Sequence, residues 1–177
     1  MSNEVKPKIF LLDVDGVMTT GHFIYSENGK MLKIFGPDDN DGLSLVASYL
    51  DIRFVTGDKR GFKISQKRIV EDMGYDLDLV STIKRIDWIK KMFTPEEVIY
   101  MGDGIFDHYV MKEVGYGIAP SNANPLCKNE ADYITKNTGG DRAVAEACLH
   151  ILGKFFKAYD PNKFPFDKGE KFGEWAV

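Results

Sequence analysis

The sequence predicts an α/β fold, a parallel sheet wrapped on both faces by helices. Three observations carry that expectation. Short apolar runs alternate with helix-period segments along the chain, the pattern of successive strand–helix–strand units. The first run, Ile9-Phe10-Leu11-Leu12, has no polar alternation, which suits a strand buried on both faces. Three of the runs end in polar residues, at Asp13, Thr56 and Asp103. In a parallel sheet, ligands bind beyond the C-terminal strand ends.

The first strand ends at Asp13, and the turn Asp13-Val-Asp15-Gly16 follows. Two carboxylates there are costly unless something cationic meets them. In a regular strand both would point to one face. If Gly16 turns the backbone, Asp15 can swing out of register, so that one carboxylate attacks while the other moves protons. Residues 22–35 carry the strongest hairpin signal, Asn28-Gly29 between two alternating runs. Residues 36–42 form an acidic turn-rich loop in which Asp41 could cap a helix over 42–50. No twelve-position calcium pattern follows it.

A second buried strand covers residues 52–56 and ends in Thr56-Gly57. A helix over 64–73 is closed by Gly74. A short strand follows at 77–80, then a helix at about 84–93 stopped by Thr94-Pro95. The strand from Glu97 runs into Gly102-Asp103-Gly104, with a helix over 107–113. The rest reads as a strand at 116–119, a short helix at 122–128, a strand at 133–134 and a long helix at about 141–157.

The 177 residues are enough for one domain with a substantial core. We expect that domain over residues 1–159, with the hairpin as an insertion and residues 160–177 as a tail. A net charge of −4 argues against a nucleic-acid partner. No apolar run approaches the roughly 18 residues of a membrane helix. The first residues lack a signal-peptide core, so a cytoplasmic location is expected, with Cys127 and Cys148 reduced. His22, His108 and His150 show no ligand spacing.

Asp13-Val-Asp15-Gly16-Val, then Thr56-Gly57, then Lys84, then Gly102-Asp103-Gly104-Ile-Phe-Asp107 resembles the haloacid dehalogenase superfamily of phosphohydrolases. All of its motifs stand in order. The hairpin after the first motif and Gly139-Gly140-x-x-Ala143-Val-x-Glu146 resemble its capless branch, typified by 3-deoxy-D-manno-octulosonate 8-phosphate (KDO 8-phosphate) phosphatase. The resemblance implies a Rossmann-like three-layer α/β/α core with no large cap. It implies an Mg²⁺-dependent phosphomonoesterase working through an aspartyl-phosphate. The substrate would be a sugar-acid phosphate, KDO 8-phosphate or a nonulosonate 9-phosphate.

Carried over residue by residue, Asp13 is the nucleophile and Asp15 the general acid and base. Asp13, the Asp15 backbone carbonyl and Asp103 hold Mg²⁺. Thr56, Gly57 and Lys84 form the phosphate site. Asp107 orients Lys84 or a metal-bound water. Arg85 competes with Lys84 for the third motif. An Asp at position 15 fits a phosphatase, whose leaving group needs a proton. The family's assembly implies a homotetramer built around the hairpin. The competing readings are a broader sugar-phosphate or nucleotide phosphatase, and a non-catalytic partner of a nucleotide-sugar-forming enzyme.

Overall fold

The structure, a computed structural model, describes residues 5–163. Strand β1 (Ile9–Asp13) lies at the middle of the sheet because its side chains are apolar on both faces. It pairs in parallel with β4 (Asp51–Thr56) on one side and β6 (Val98–Met101) on the other. β5 (Asp76–Leu79), β7 (Tyr116–Ala119) and β8 (Tyr133–Ile134) complete a six-stranded parallel sheet, ordered β5-β4-β1-β6-β7-β8. The α/β expectation thus holds, with the strand order reversing on either side of β1.

The helices are α1 (Asp39–Val46), α2 (Phe62–Gln66), α3 (Arg85–Met92), α4 (Asp107–Met111), α5 (Pro125–Glu130) and α6 (Ala143–Phe155). Phe10 and Leu12 of β1 pack with Leu43 and Val46 of α1 and with Val144, Ile151 and Leu152 of α6. Leu11, one position along, faces the other side and packs with Ile89 of α3, Val110 and Met111 of α4 and Cys127 of α5. The period-two alternation of a strand therefore builds two cores from one run, and these make three layers.

The hairpin is β2 (Thr19–Ser26) and β3 (Gly29–Phe35), a separate two-stranded antiparallel sheet. It begins earlier than expected, immediately after the turn that follows Asp13. Its sidedness is the reverse of an ordinary amphipathic ribbon. Lys33 is buried, whereas Phe23, Ile24, Tyr25, Met31, Leu32 and Ile34 are exposed. The register explains how two lysines share a face. Leu32 pairs with Ile24 and Lys30 with Tyr25, leaving Met31 as an extra residue that shifts the parity.

Two local expectations are corrected. α1 starts at Asp39, with Asp38 left-handed before it, so Asp41 lies in the first turn rather than capping it. Asp39 instead turns inward, where its Oδ1 accepts from the Ala145 N–H near the start of α6. The helix expected over 64–73 begins at Phe62 and continues as a wider-wound turn over Lys67–Asp72. Residues 164–177, most of the expected tail, lie outside the described residues.

Candidate active site

The C-terminal ends of β1, β4 and β6 bring Asp13, Thr56 and Asp103 to one edge of the sheet. At Asp13 the chain leaves the strand and makes a turn over Val14–Met18, closed by the Thr19 N–H donating to the Val14 carbonyl. Within it Gly16 takes φ of 90°, a left-handed conformation that suits glycine. Space demands glycine there too, because a Cβ at Gly16 would overlap the Asp103 carboxylate. The turn is also held from α6's approach, where the Gly140 N–H donates to the Val17 carbonyl at 2.9 Å.

The turn sends the two aspartates to different partners. Asp13 is buried; its Oδ1 accepts from the Val14 N–H at 2.8 Å, and its Oδ2 lies 3.1 Å from Nη1 of Arg85. Asp15 turns toward the hairpin. Its Oδ2 accepts from Lys33 at 3.0 Å and from the Thr56 hydroxyl at 3.2 Å. Gly57 follows exposed, and Thr56 Oγ1 accepts from the Asp58 N–H at 3.0 Å.

The third-motif cation is where geometry and expectation part. Lys84 ends a short 3₁₀ turn and its side chain is exposed. Arg85 opens α3 and is fully buried. One residue is about a quarter of a helical turn or more, so the two cations cannot face the same way. The inward one is Arg85, ion-paired to Asp13 and, at 3.1 Å, to Asp107. The structure therefore sets Arg85, not Lys84, against the carboxylates.

Asp107 orients Arg85 in place of the lysine expected. All of its acceptor capacity is directed to the protein. Oδ1 accepts from Arg85 at 3.1 Å and from the Tyr100 hydroxyl at 2.6 Å. Oδ2 accepts from the N–H groups of Asp103 at 3.1 Å and Gly104 at 2.8 Å. The short G-D-G-x-x-D spacing thus lets Asp107 fold back and fix the loop that carries Asp103.

Asp13, Asp103 and Asp107 each offer an oxygen within 4.8 Å of the others. That crowding leaves negative charge incompletely balanced. Burial, then the neighbouring Asp13, Asp107 and Asp15, push the Asp103 carboxyl up to about 8. Burial likewise raises Asp13 to about 6, against the opposing pull of Arg85. Burial would lower Arg85, but Asp13, Tyr100 and Asp107 drive it upward. A hard divalent cation with an oxygen ligand set fits this deficit. Asp13 and Asp103 are the ligands suited to it, since the oxygens of Asp107 are already engaged.

The profile of the haloacid dehalogenase-like hydrolases matches residues 18–147. The chain belongs to that family. It is 34% identical over 155 residues to the KDO 8-phosphate phosphatase of Salmonella typhi, covering 82% of this chain and 79% of that one. The crystal structure of the Yersinia pestis KDO 8-phosphate phosphatase is similar, with a TM-score of 0.72 at 32% identity, over 82% of this chain and 80% of that one. So is the Moraxella catarrhalis enzyme, solved with magnesium, phosphate and KDO, with a TM-score of 0.69 at 28% identity, over 83% of this chain and 86% of that one. The chain is thus a phosphatase-type hydrolase of this family, related to the KDO 8-phosphate phosphatases. Among the described residues no helix is long and apolar enough to cross a membrane.

Sequence reasoning missed Lys33, Ser65, Asp58 and Tyr100. Lys33 lies between Leu32 and Ile34 and reads as a solvent-facing position of the hairpin. Tyr100 reads as one more strand residue. No motif marks either, because each acts through contacts between elements distant in sequence.

Proposed function

We propose that this chain is an Mg²⁺-dependent phosphomonoesterase acting on a phosphorylated sugar acid of eight or nine carbons, such as KDO 8-phosphate or a nonulosonate 9-phosphate. The observation that carries the reaction class is the placement of Asp13. Its carboxylate is held by the Val14 N–H and Arg85 at the open end of the sheet, beside Asp103. Such a carboxylate can attack phosphorus and split hydrolysis into two steps. Mg²⁺ on Asp13, Asp103 and the Asp15 carbonyl would supply charge neutralisation for an anion meeting a phosphate dianion.

In the first step Asp13 takes the phosphoryl group and Asp15 gives a proton to the leaving alkoxide. In the second, Asp15 takes a proton from the water that hydrolyses the aspartyl-phosphate. The Thr56 hydroxyl, which donates to Asp15 before substrate arrives, would turn to the phosphoryl oxygens beside the Gly57 N–H as charge spreads over them. Arg85 stands beside the position where the resemblance places a phosphate-binding lysine, and here it holds Asp13 and offsets the charge of the cluster. Asp107 and Tyr100 hold Arg85.

The substrate class rests on the relatives, and we carry it over as a proposal. The test is phosphate release with and without Mg²⁺, across eight- and nine-carbon sugar-acid phosphates, hexose phosphates and nucleoside monophosphates. We expect the highest kcat/KM on a sugar-acid phosphate. Preference for a nucleotide or hexose phosphate would make this a broader phosphatase. No Mg²⁺-dependent turnover on any ester would leave the non-catalytic partner reading.

We also propose that the protein is a cytoplasmic homotetramer with the hairpin at its centre. The support is the exposed apolar side chains of the hairpin, among them Ile24, Leu32 and Ile34 on the face away from Lys33. A two-stranded ribbon is marginal alone, and pairing copies in a closed ring would bury that face.

A further inference from the structure

From the hairpin strand β3, the buried ammonium of Lys33 reaches Asp15 in the catalytic turn. Lys33 Nζ lies 2.8 Å from Asp15 Oδ1 and donates to Asp15 Oδ2 at 3.0 Å. It is also 2.9 Å from Asp58 Oδ2 and donates to the buried Ser65 hydroxyl at 2.8 Å. An ammonium has three protons and here meets oxygens from three side chains. Its side chain is wholly shielded from solvent, so it has neither the access nor the spare donors to bind substrate.

Asp58 links this lysine to a second one. Its Oδ2 also lies 2.5 Å from Lys30 Nζ, and Lys30 sits over the Phe23 ring at 3.3 Å. The two lysine stems pass Gly61, where an added Cβ would stand 2.8 Å from Lys30 Cδ and 2.8 Å from Lys33 Cε and would overlap the Asp58 carboxylate. The loop after β4, the start of α2 and the hairpin are thus built around these side chains. A lysine is costly to bury without partners, and the apolar residues beside it on β3 point outward. Its inward direction follows from the carboxylates it meets.

We infer that Lys33 is a positioning residue for Asp15, fixing the direction of its carboxylate from the hairpin with Asp58 and Ser65 as anchors. The inference rests on the proposed reading that Asp15 moves the protons. Without Lys33, Asp15 keeps, among the described residues, the Thr56 hydroxyl at 3.2 Å as its side-chain partner. A carboxyl that is free to rotate protonates a departing alkoxide poorly. A 4-nitrophenolate leaves without needing that proton.

The test is single-turnover phosphoryl transfer in wild type, Lys33→Met and Gly61→Ala with saturating Mg²⁺. Two esters are compared, an alkyl sugar phosphate and 4-nitrophenyl phosphate. We expect Lys33→Met to slow the alkyl ester by about 10²-fold, the low end of general acid–base contributions. 4-Nitrophenyl phosphate should slow several-fold less, and KM should change little for either. Gly61→Ala keeps every charge and should show the same selectivity at smaller size. It carries the comparison alone if Lys33→Met does not fold. Equal slowing of the two esters, or no slowing, would overturn the positioning role. Wild-type inactivity on both esters would instead sink the proposed function.

Discussion

Arg85 reaches Asp13 across 72 residues of sequence, with Nη1 3.1 Å from Oδ2 and Nη2 3.5 Å from Oδ1. The same Nη1 donates to Asp107 and to Tyr100. One guanidinium therefore orients the expected nucleophile while Asp107 orients the guanidinium. Breaking a buried pair by removing one partner costs about 3–5 kcal/mol. Arg85→Ala should lose stability on that scale in urea unfolding and lose nearly all turnover. Lys84→Ala should leave the unfolding midpoint unchanged and keep most activity. The reverse ranking would return the third motif to Lys84.

Asp13→Asn should abolish turnover and leave the fold intact. The amide is a poor nucleophile and a poorer metal ligand, while its oxygen can still accept from the Val14 N–H that Asp13 uses. Mass spectrometry of the quenched wild type should show a phosphoryl adduct on Asp13, and the variant none. Normal turnover in the variant would end the covalent mechanism.

Metal affinity should separate Asp103 from Asp107. Asp107 spends both oxygens on Arg85, Tyr100 and two backbone N–H groups. Loss of such an orienting partner typically weakens metal binding by about 10- to 100-fold. By calorimetric titration with Mg²⁺, Asp107→Asn should fall in that range and Asp103→Asn should lose more. Equal losses would put Asp107 among the direct ligands.

Asp39 gives a pH dependence away from the metal cluster. Burial raises its carboxyl to about 6, against the opposing Ala145 and Val144 N–H groups. The folded protein then holds this proton at pH values where the unfolded chain has released it, so the contribution of Asp39 to stability falls as pH rises. The window runs from the ordinary carboxylate value near 4 up to about 6. Asp39→Asn should flatten that part of the melting-temperature profile, measured with saturating Mg²⁺. An identical slope in the variant would refute the assignment.

Charges placed on the outward hairpin face should disrupt the proposed assembly. Ile24→Glu with Leu32→Glu sets like charges opposite each other in the register. Light scattering should then report a smaller particle than wild type. A wild type that is monomeric at micromolar concentration would refute the tetramer.

The sequence by itself determined the sheet and the acidic edge. The unbroken apolar run Ile9–Leu12 suits a central strand, and the polar ends at Asp13, Thr56 and Asp103 gather where parallel strands finish. Those are local facts of periodicity and chain direction. Tertiary structure decided which cation meets Asp13. Lys84 and Arg85 are adjacent and alike in charge, and only the start of α3 turns one inward. It also decided that Lys33 is buried while its apolar neighbours are exposed. A hydrophobic pattern records which residues avoid water. It does not record that Asp15 and Asp58, distant in sequence, leave a buried site that an ammonium can satisfy.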